Sequence, residues 1–128
     1  MARSALDGCG FPIAILDDSA NRPVSYVNRA FSDFFGCRAD EAVGRSLGSL
    51  VFRGDEALVH RMLAEQTQRR TVKAWAKDGS PRPVELTLAA VRAKDGSISH
   101  WVAAFSDQSE LERLRAELDS LRTLAKAA

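Results

Sequence analysis

Short apolar runs alternate with turn-forming residues in the first third of the chain. The runs FPIAIL (11–16) and PVSYVN (23–28) have the composition of β-strands, and the Asp, Ser and Asn residues between them favour a turn. This pattern predicts a β-hairpin. The segments NRAFSDFFG (28–36) and RADEAVG (38–44) carry apolar residues at helical spacing and end at glycine, which predicts two short helices.

The middle of the chain predicts one longer helix and then three strands. The helix runs from about Asp55 to Gln66, with Leu58, Val59 and Met62 on its inner side. Two copies of KDGS (77–80 and 94–97) then separate runs rich in Val, Leu, Ala and Trp. Because Asp-Gly between such runs marks a tight turn, we predict an antiparallel meander and a mixed α+β fold.

The last segment, residues 107–128, has neither glycine nor proline and consists almost entirely of good helix formers. It predicts one continuous amphipathic helix. Asp107 and Glu110 have the spacing of a capping box, so the helix is expected to start directly after the last strand.

Leucines on this exit helix fall at heptad spacing. Leu111 and Leu118 occupy a positions, Leu114 and Leu121 occupy d, Glu110 and Glu117 occupy g, and Arg115 and Arg122 occupy e. In a parallel pair each g glutamate faces an e arginine of the other chain, so the pattern predicts a parallel homodimer. The alternative is that the leucine stripe folds back onto the sheet of its own chain.

Composition and charge exclude several classes of protein. With 128 residues and 45% apolar content the chain suits one compact domain. Its 18 basic residues are nearly balanced by 17 acidic residues, so the chain lacks the excess positive charge that attracts nucleic acid. No apolar run approaches the roughly 20 residues that span a bilayer, so direct membrane insertion is not expected. Two cysteines, Cys9 and Cys37, form neither a disulfide framework nor a zinc motif, which favours a cytoplasmic protein.

Residues for catalysis are not recognisable in the sequence. No Ser, His and acid set stands in a familiar context, and the glycines at 44, 48 and 54 do not follow a strand as a phosphate-binding loop requires. We therefore predict that this chain is not itself an enzyme and holds no metal, although it could form part of a larger signalling enzyme.

The order of several motifs resembles a known family. The segments PIAILDD (12–18), VSYVNRAFSDFFGC (24–37), DEAVGRSL (40–47), 76–107 with both KDGS turns, and QSELERLRAEL (108–118) together resemble a PAS domain, most of all its light-oxygen-voltage (LOV) flavin-binding branch. The resemblance implies a five-stranded antiparallel sheet with short helices on one face. It implies a PAS core over 1–106 and a signalling helix over 107–128.

The chain departs from the LOV pattern where the flavin is held. Photoactive LOV domains have Gly-x-Asn-Cys-Arg-Phe-Leu-Gln where this chain has GRSLGSLV (44–51), so Leu47 replaces the reactive cysteine. Ser46 then replaces the asparagine, Gly48 the phosphate-binding arginine and Val51 the glutamine. The position of the second phosphate-binding arginine resembles Leu63.

The same replacement by apolar residues extends to the strands. By the resemblance, Ala74 and Val84 stand where two asparagines face the flavin ring, and Phe105 stands where a glutamine does. Each ring polar group left without a partner would cost about 1–3 kcal/mol, so we predict no flavin and no other cofactor. The five degenerate positions either pack as core or line a cavity for a small apolar ligand: Leu47, Val51, Ala74, Val84 and Phe105.

One histidine and one face of the sheet were considered as binding sites. Some PAS sensors hold haem through a histidine on the long helix, but the apolar stripe there indicates that His60 faces water. Strand alternation predicts that the outer face of the sheet is too apolar to remain exposed to water, so that a partner subunit or a terminal helix covers it. The residues of this outer face are Trp75, His100, Val102 and Ala104.

The sequence therefore predicts a non-catalytic PAS sensory and dimerisation module that regulates an effector such as a histidine kinase. The first alternative is a domain that senses a small ligand, flavin or haem. A protein–protein adaptor is the second.

Overall fold

Five strands and five helices make up the described part of the chain. The computed structural model describes residues 10–19, 22–64 and 69–127, with the side chains of Glu110 and of residues 124–127 excepted. Cys9 and the predicted helix end at Gln66 lie outside the described residues. The elements in chain order are β1 (Ile13–Asp17), β2 (Val24–Val27), α1 (Arg29–Phe35), α2 (Ala39–Ala42), α3 (Leu47–Val51), α4 (Glu56–Ala64), β3 (Arg69–Trp75), β4 (Pro81–Arg92), β5 (Ile98–Asp107) and α5 (Ser109–Ala127).

The strands form one antiparallel sheet in the order β2-β1-β5-β4-β3. The first hairpin lies at one edge and the meander at the other, and β1 pairs with β5 to join them. This arrangement confirms the α+β fold class with a five-stranded sheet, short helices and a C-terminal helix.

The two KDGS turns have matching geometry. The Asp78 carboxylate accepts hydrogen bonds from the backbone N–H and the hydroxyl of Ser80 at 2.9 and 2.6 Å, and Asp95 and Ser97 repeat both distances. These bonds lower the pKa of both aspartates. The glycine of each turn has φ of +87° or +89°, which L residues rarely adopt. Both predicted hairpin turns are thereby confirmed.

One helix, α3, was not predicted from the sequence. Gly48 and Ser49 give it low intrinsic helix propensity, and it has only five residues. Ser46 caps it by accepting a hydrogen bond from the Ser49 N–H at 3.2 Å, and burial of Leu47 and Val51 supplies the packing that short helices need. Tertiary contacts therefore decide its conformation.

The exit helix α5 begins two residues later than predicted. Asp107 ends β5, and its carboxylate accepts a hydrogen bond from the Ser109 N–H at 2.9 Å, so it caps the helix from the strand. The Gln108 N–H donates to the Pro83 carbonyl at 2.9 Å, which fixes the helix start against β4. None of the helices in the described part of the chain combines the length and apolar character needed to cross a bilayer.

Asn28 joins the first helix to the sheet. Its side chain is fully buried, and its Oδ1 accepts hydrogen bonds from the Ile13 N–H at 2.9 Å and from the Phe31 N–H at 3.0 Å. Its Nδ2 donates to the Phe11 carbonyl at 2.9 Å. One side chain thus caps α1 and satisfies two backbone groups at the start of β1.

We expect Asn28→Ala to lower the free energy of unfolding by about 2–4 kcal/mol, because it removes a helix cap and leaves buried backbone groups unpaired. Urea unfolding followed by circular dichroism measures this. Ser46→Ala, which removes a less buried cap, is the control and should cost about 1 kcal/mol. Equal losses in the two variants would show that Asn28 is only a local cap.

Candidate functional site

The five degenerate pocket positions come together on the inner face of the sheet. Leu47 and Val51 reach it from α3, Ala74 from β3, Val84 from β4 and Phe105 from β5, and none is more than 2% exposed. All five belong to one hydrophobic cluster. Their side chains offer no hydrogen-bond donor or acceptor, so this surface has nothing with which to orient a polar ring.

Three phenyl rings fill the space between α1 and β5. Phe105 contacts Phe35 with ring centroids 5.2 Å apart and Phe31 at 5.8 Å, both edge to face, and Phe31 and Phe35 lie 4.8 Å apart. Such tilted contacts are favourable aromatic geometry. The position where the resemblance places a flavin-facing glutamine is therefore occupied by a ring packed against two others.

A carboxylate stands beside the position of the lost phosphate-binding arginine. A Cβ on Gly48 would lie 2.8 Å from Oε2 of Glu56 and 3.1 Å from the Asp55 carbonyl oxygen. The Ser46 hydroxyl donates to Oε1 of Glu56 at 2.5 Å and holds that carboxylate in place. The adjoining cavity measures about 10 Å³, the lower limit for one water molecule. Little space remains beside Gly48, and the charged group nearest to it is a carboxylate, which does not attract phosphate.

Glu56 was missed by the sequence analysis. An acidic residue in the first turn of a helix is common, because it complements the helix dipole, and nothing in the sequence shows that its side chain turns towards Gly48.

Cys37 and His60, the two other residues considered for reactivity or ligand binding, do not provide a reactive group on the inner face of the sheet. Burial, with a smaller contribution from the Glu41 carboxylate, raises the pKa of the Cys37 thiol, so it stays protonated and poorly nucleophilic. His60 is exposed on α4, as the helical pattern predicted, and its Nδ1 lies 3.4 Å from a guanidinium nitrogen of Arg22. No three His, Cys, Asp or Glu side chains in the described part of the chain lie close enough together to hold a metal ion.

Comparisons with known proteins agree with this architecture. The model of the PAS fold family matches residues 1–108. The chain belongs to the PAS family. Adagio protein 3 of Arabidopsis thaliana is 33% identical over 109 residues, covering 72% of this chain and 18% of that protein. A blue-light-activated histidine kinase of Brucella anthropi is 29% identical over 92 residues, covering 68% of this chain and 19% of that protein.

A solved structure of an RNA-binding light-oxygen-voltage receptor has the same fold. It aligns with a TM-score of 0.78 at 21% identity, covering 98% of this chain and 37% of that one. The PAS domain described here thus spans less than a fifth of the two curated relatives and about a third of this receptor.

The outer face of the PAS sheet is less uniform than predicted. Strand register sets Val102 beside Ile15 and Ala104 beside Ile13. These residues make an apolar strip along β1 and β5 in which Ile13 is buried and the other three are half-buried. His100 closes one end of the strip, with its Nε2 3.3 Å from the Asp17 carboxylate.

Trp75 does not belong to this strip. It pairs with Pro81 at the edge of the sheet, and the guanidinium of Arg53 stacks 4.4 Å from the centroid of its ring. Arg53 also donates to the Gly79 carbonyl at 3.2 Å, so the segment between α3 and α4 covers the tryptophan. The predicted four-residue patch is therefore corrected to His100, Val102 and Ala104.

The leucine stripe of the PAS exit helix points into solvent. Leu111, Leu114, Leu118 and Leu121 are 44%, 47%, 52% and 61% exposed. The alternative in which this stripe folds back onto the chain's own sheet is not the arrangement that the structure has.

We expect Gly48→Arg, which restores the arginine of the light-oxygen-voltage pattern, to lower the free energy of unfolding by about 1 kcal/mol. Its Cβ would lie 3.1 Å from the Asp55 carbonyl oxygen and would displace the Glu56 carboxylate from its hydrogen bond with Ser46, and these costs exceed the gain in helix propensity. Thermal and urea unfolding measure this. Ser49→Arg, one residue away and exposed, is the control and should change stability by no more than about 0.5 kcal/mol. Adding Glu56→Ala should recover part of the loss, and equal stability of Gly48→Arg and Ser49→Arg would contradict the closure described here.

Proposed function

We propose that this PAS domain is a non-catalytic sensory and dimerisation module that controls an effector through α5, without flavin photochemistry. The observation that carries the proposal is the exposed leucine stripe on a helix that directly continues the central strand β5. Four leucines at heptad spacing on an otherwise charged helix are costly to leave in water. A second copy of the same helix is the partner that matches them.

The packed inner face supports the part of the proposal that excludes flavin photochemistry. A flavin ring placed there would lose hydrogen bonds at several polar edges, and its phosphate would meet the Glu56 carboxylate instead of an arginine. Leu47, which stands where the reactive cysteine would be, is 2% exposed within the core. These residues do not fit the cofactor, so the proposed mechanism contains no step through it.

Charges flanking the leucines support a parallel arrangement. In a parallel coil Glu117 at g faces Arg122 at e of the other chain, and Glu110 and Arg115 repeat that relation. An antiparallel coil would set glutamate against glutamate and arginine against arginine. Exposed ion pairs contribute only about 0–1 kcal/mol each, so the leucines stabilise the dimer and the charges select its orientation.

The apolar strip on the outer sheet face provides a second contact for the dimer. Val102 and Ala104 on β5 lie beside Ile15 and Ile13 on β1, and α5 leaves the sheet from the same strand β5. A dimer that joins both helices therefore brings the two outer faces near each other. In the proposed mechanism, a shift in how these faces pack rotates the exit helices relative to one another.

An effector such as a histidine kinase fits this output, and the cytoplasm is the proposed location. One curated relative is a blue-light-activated histidine kinase, of which this domain matches 19% of the length. Rotation or separation of paired helices is a compact way to pass a change from a sensory domain to a linked effector.

We expect the double variant Leu114→Glu and Leu121→Glu to be a folded monomer, because it places four carboxylates in the seam of the dimer. Light scattering should give the mass of one chain, and circular dichroism should show an intact sheet. The matched control, Ala116→Glu with Thr123→Glu, adds the same charges at the outward f positions and should remain dimeric. An unchanged dimer in the first variant would show that the sheet face alone holds the subunits.

A charge exchange tests the orientation of the coil. Glu117→Arg should weaken a parallel dimer by up to about tenfold in Kd, and adding Arg122→Glu should restore it. A tighter dimer from Glu117→Arg alone would instead indicate antiparallel helices.

A further inference from the structure

A cleft of about 310 Å³ lies between helices α2 and α3 and the turn that joins β3 to β4. Its volume is near the lower end of the range of about 300–1,000 Å³ that is typical of small-molecule sites. On α3, Ser49 and Leu50 line the cleft, whereas Leu47 and Val51 of the same helix are buried in the core. None of the five degenerate flavin positions and no residue of α4 is among the described residues that line it, so the cleft is a separate feature of the domain.

Three cationic side chains converge on this cleft from three different connections. Arg45 comes from the connection between α2 and α3, Arg53 from that between α3 and α4, and Lys77 from the turn between β3 and β4. The only carboxylate in the described part of the lining belongs to Glu41, which accepts hydrogen bonds from the Lys77 ammonium and from the backbone N–H of Arg38. The cleft therefore has an excess of positive charge.

Arg45 is available to a ligand. Its guanidinium makes no hydrogen bond and no ion pair with the residues that the structure describes. Burial and the Glu41 carboxylate raise the pKa of the Cys37 thiol, and the nearby charges of Lys77 and Arg45 act against that rise. Because both cations act on one thiol in the wall of the cleft, they lie near each other and can approach one anion.

Arg53 is held in a strained conformation at the edge of the cleft. Its backbone has φ of +52°, in the left-handed region that residues other than glycine rarely adopt. Its guanidinium stacks on the Trp75 ring and donates through one nitrogen to the Gly79 carbonyl at 3.2 Å. A guanidinium has five N–H donors, so Arg53 keeps further donors for an anion while its plane is fixed. Backbone strain of this kind is concentrated at ligand sites.

We propose that this cleft binds a small organic phosphate. Arg45, Arg53 and Lys77 hold the phosphoryl oxygens, because several cationic donors match the charge and the three oxygens of a phosphate monoester. The organic body contacts Leu50 and Trp75, the half-buried apolar side chains of the cleft. The inference deepens the proposed function by naming the class of ligand that the sensory domain takes, and it rests on that function only for its signalling role.

Titration with phenyl phosphate in a phosphate-free buffer tests the proposal. In a Trp101→Phe background the only tryptophan is Trp75, so fluorescence reports on the cleft. We expect saturable binding of phenyl phosphate at least tenfold tighter than that of phenol, which lacks the charge, or of methyl phosphate, which lacks the ring. Calorimetry on the unmodified protein should give the same order.

Three variants separate specific from general binding, and calorimetry measures each because Arg53 also contacts the reporting tryptophan. Arg45→Gln and Arg53→Gln should each weaken binding of phenyl phosphate about tenfold. Circular dichroism establishes that both are folded, and Arg45→Gln removes no contact between described residues. Arg61→Gln, exposed on α4 outside the cleft, is the matched control and should bind as the unmodified protein does. No saturable binding, equal binding of phenol and phenyl phosphate, or an equal loss in Arg61→Gln would overturn the proposal.

A short peptide containing phosphotyrosine distinguishes a free phosphate from one carried by a protein, because it presents the same phosphate on the same ring. For a site that takes a small molecule, the peptide should bind no more tightly than phenyl phosphate. Binding of the peptide tenfold tighter would overturn the assignment to a free organic phosphate.

The monomeric variant Leu114→Glu with Leu121→Glu distinguishes this proposal from the proposed dimer. It should bind phenyl phosphate as the unmodified protein does, because α5 contributes no residue to the described lining of the cleft. A dimer that forms as proposed but never binds phenyl phosphate would overturn the ligand and leave the signalling module standing.

Discussion

The packing of Phe105 against Phe31 and Phe35 is the contact on which the rest of this PAS domain depends. It joins the central strand to the first helix and fills part of the inner face of the sheet with closely packed rings. The side chains of Leu47, Val51, Ala74 and Val84 extend the same core across the remaining elements. In this arrangement buried apolar side chains from every layer of the domain meet in one core.

The same strand connects that core to the output. Phe105 is fixed among aromatic rings, and only two residues further along β5 the Asp107 carboxylate caps α5. Phe105 therefore lies only two residues from the residue that caps the exit helix.

Much of this fold is predictable from local patterns, and the exceptions have physical reasons. The KDGS turns and the heptad leucines were predictable because each depends on a few neighbouring residues. Helix α3 was not, because Gly48 and Ser49 disfavour it and its stability depends on the burial of Leu47 and Val51. Alternation placed Trp75 on the outer face, but it could not reveal that Arg53 stacks on the ring from another segment.

The candidate sites depend still more on tertiary contacts. The orientation of the Glu56 side chain towards Gly48 and Ser46 depends on how α3 and α4 pack, so no local motif predicts it. By contrast, the resemblance alone identified which positions of this chain correspond to the flavin-contacting positions of the family. What those residues do physically, which is to pack, required the structure.

The central claim, that the inner face is a packed core and not a flavin site, is tested most directly by one absorption spectrum. The purified domain is incubated with excess flavin mononucleotide, passed over a desalting column and measured in the visible range. The account predicts a colourless protein, with all the flavin in the small-molecule fraction. Oxidised-flavin absorption that stays with the protein at close to one flavin per chain would contradict it.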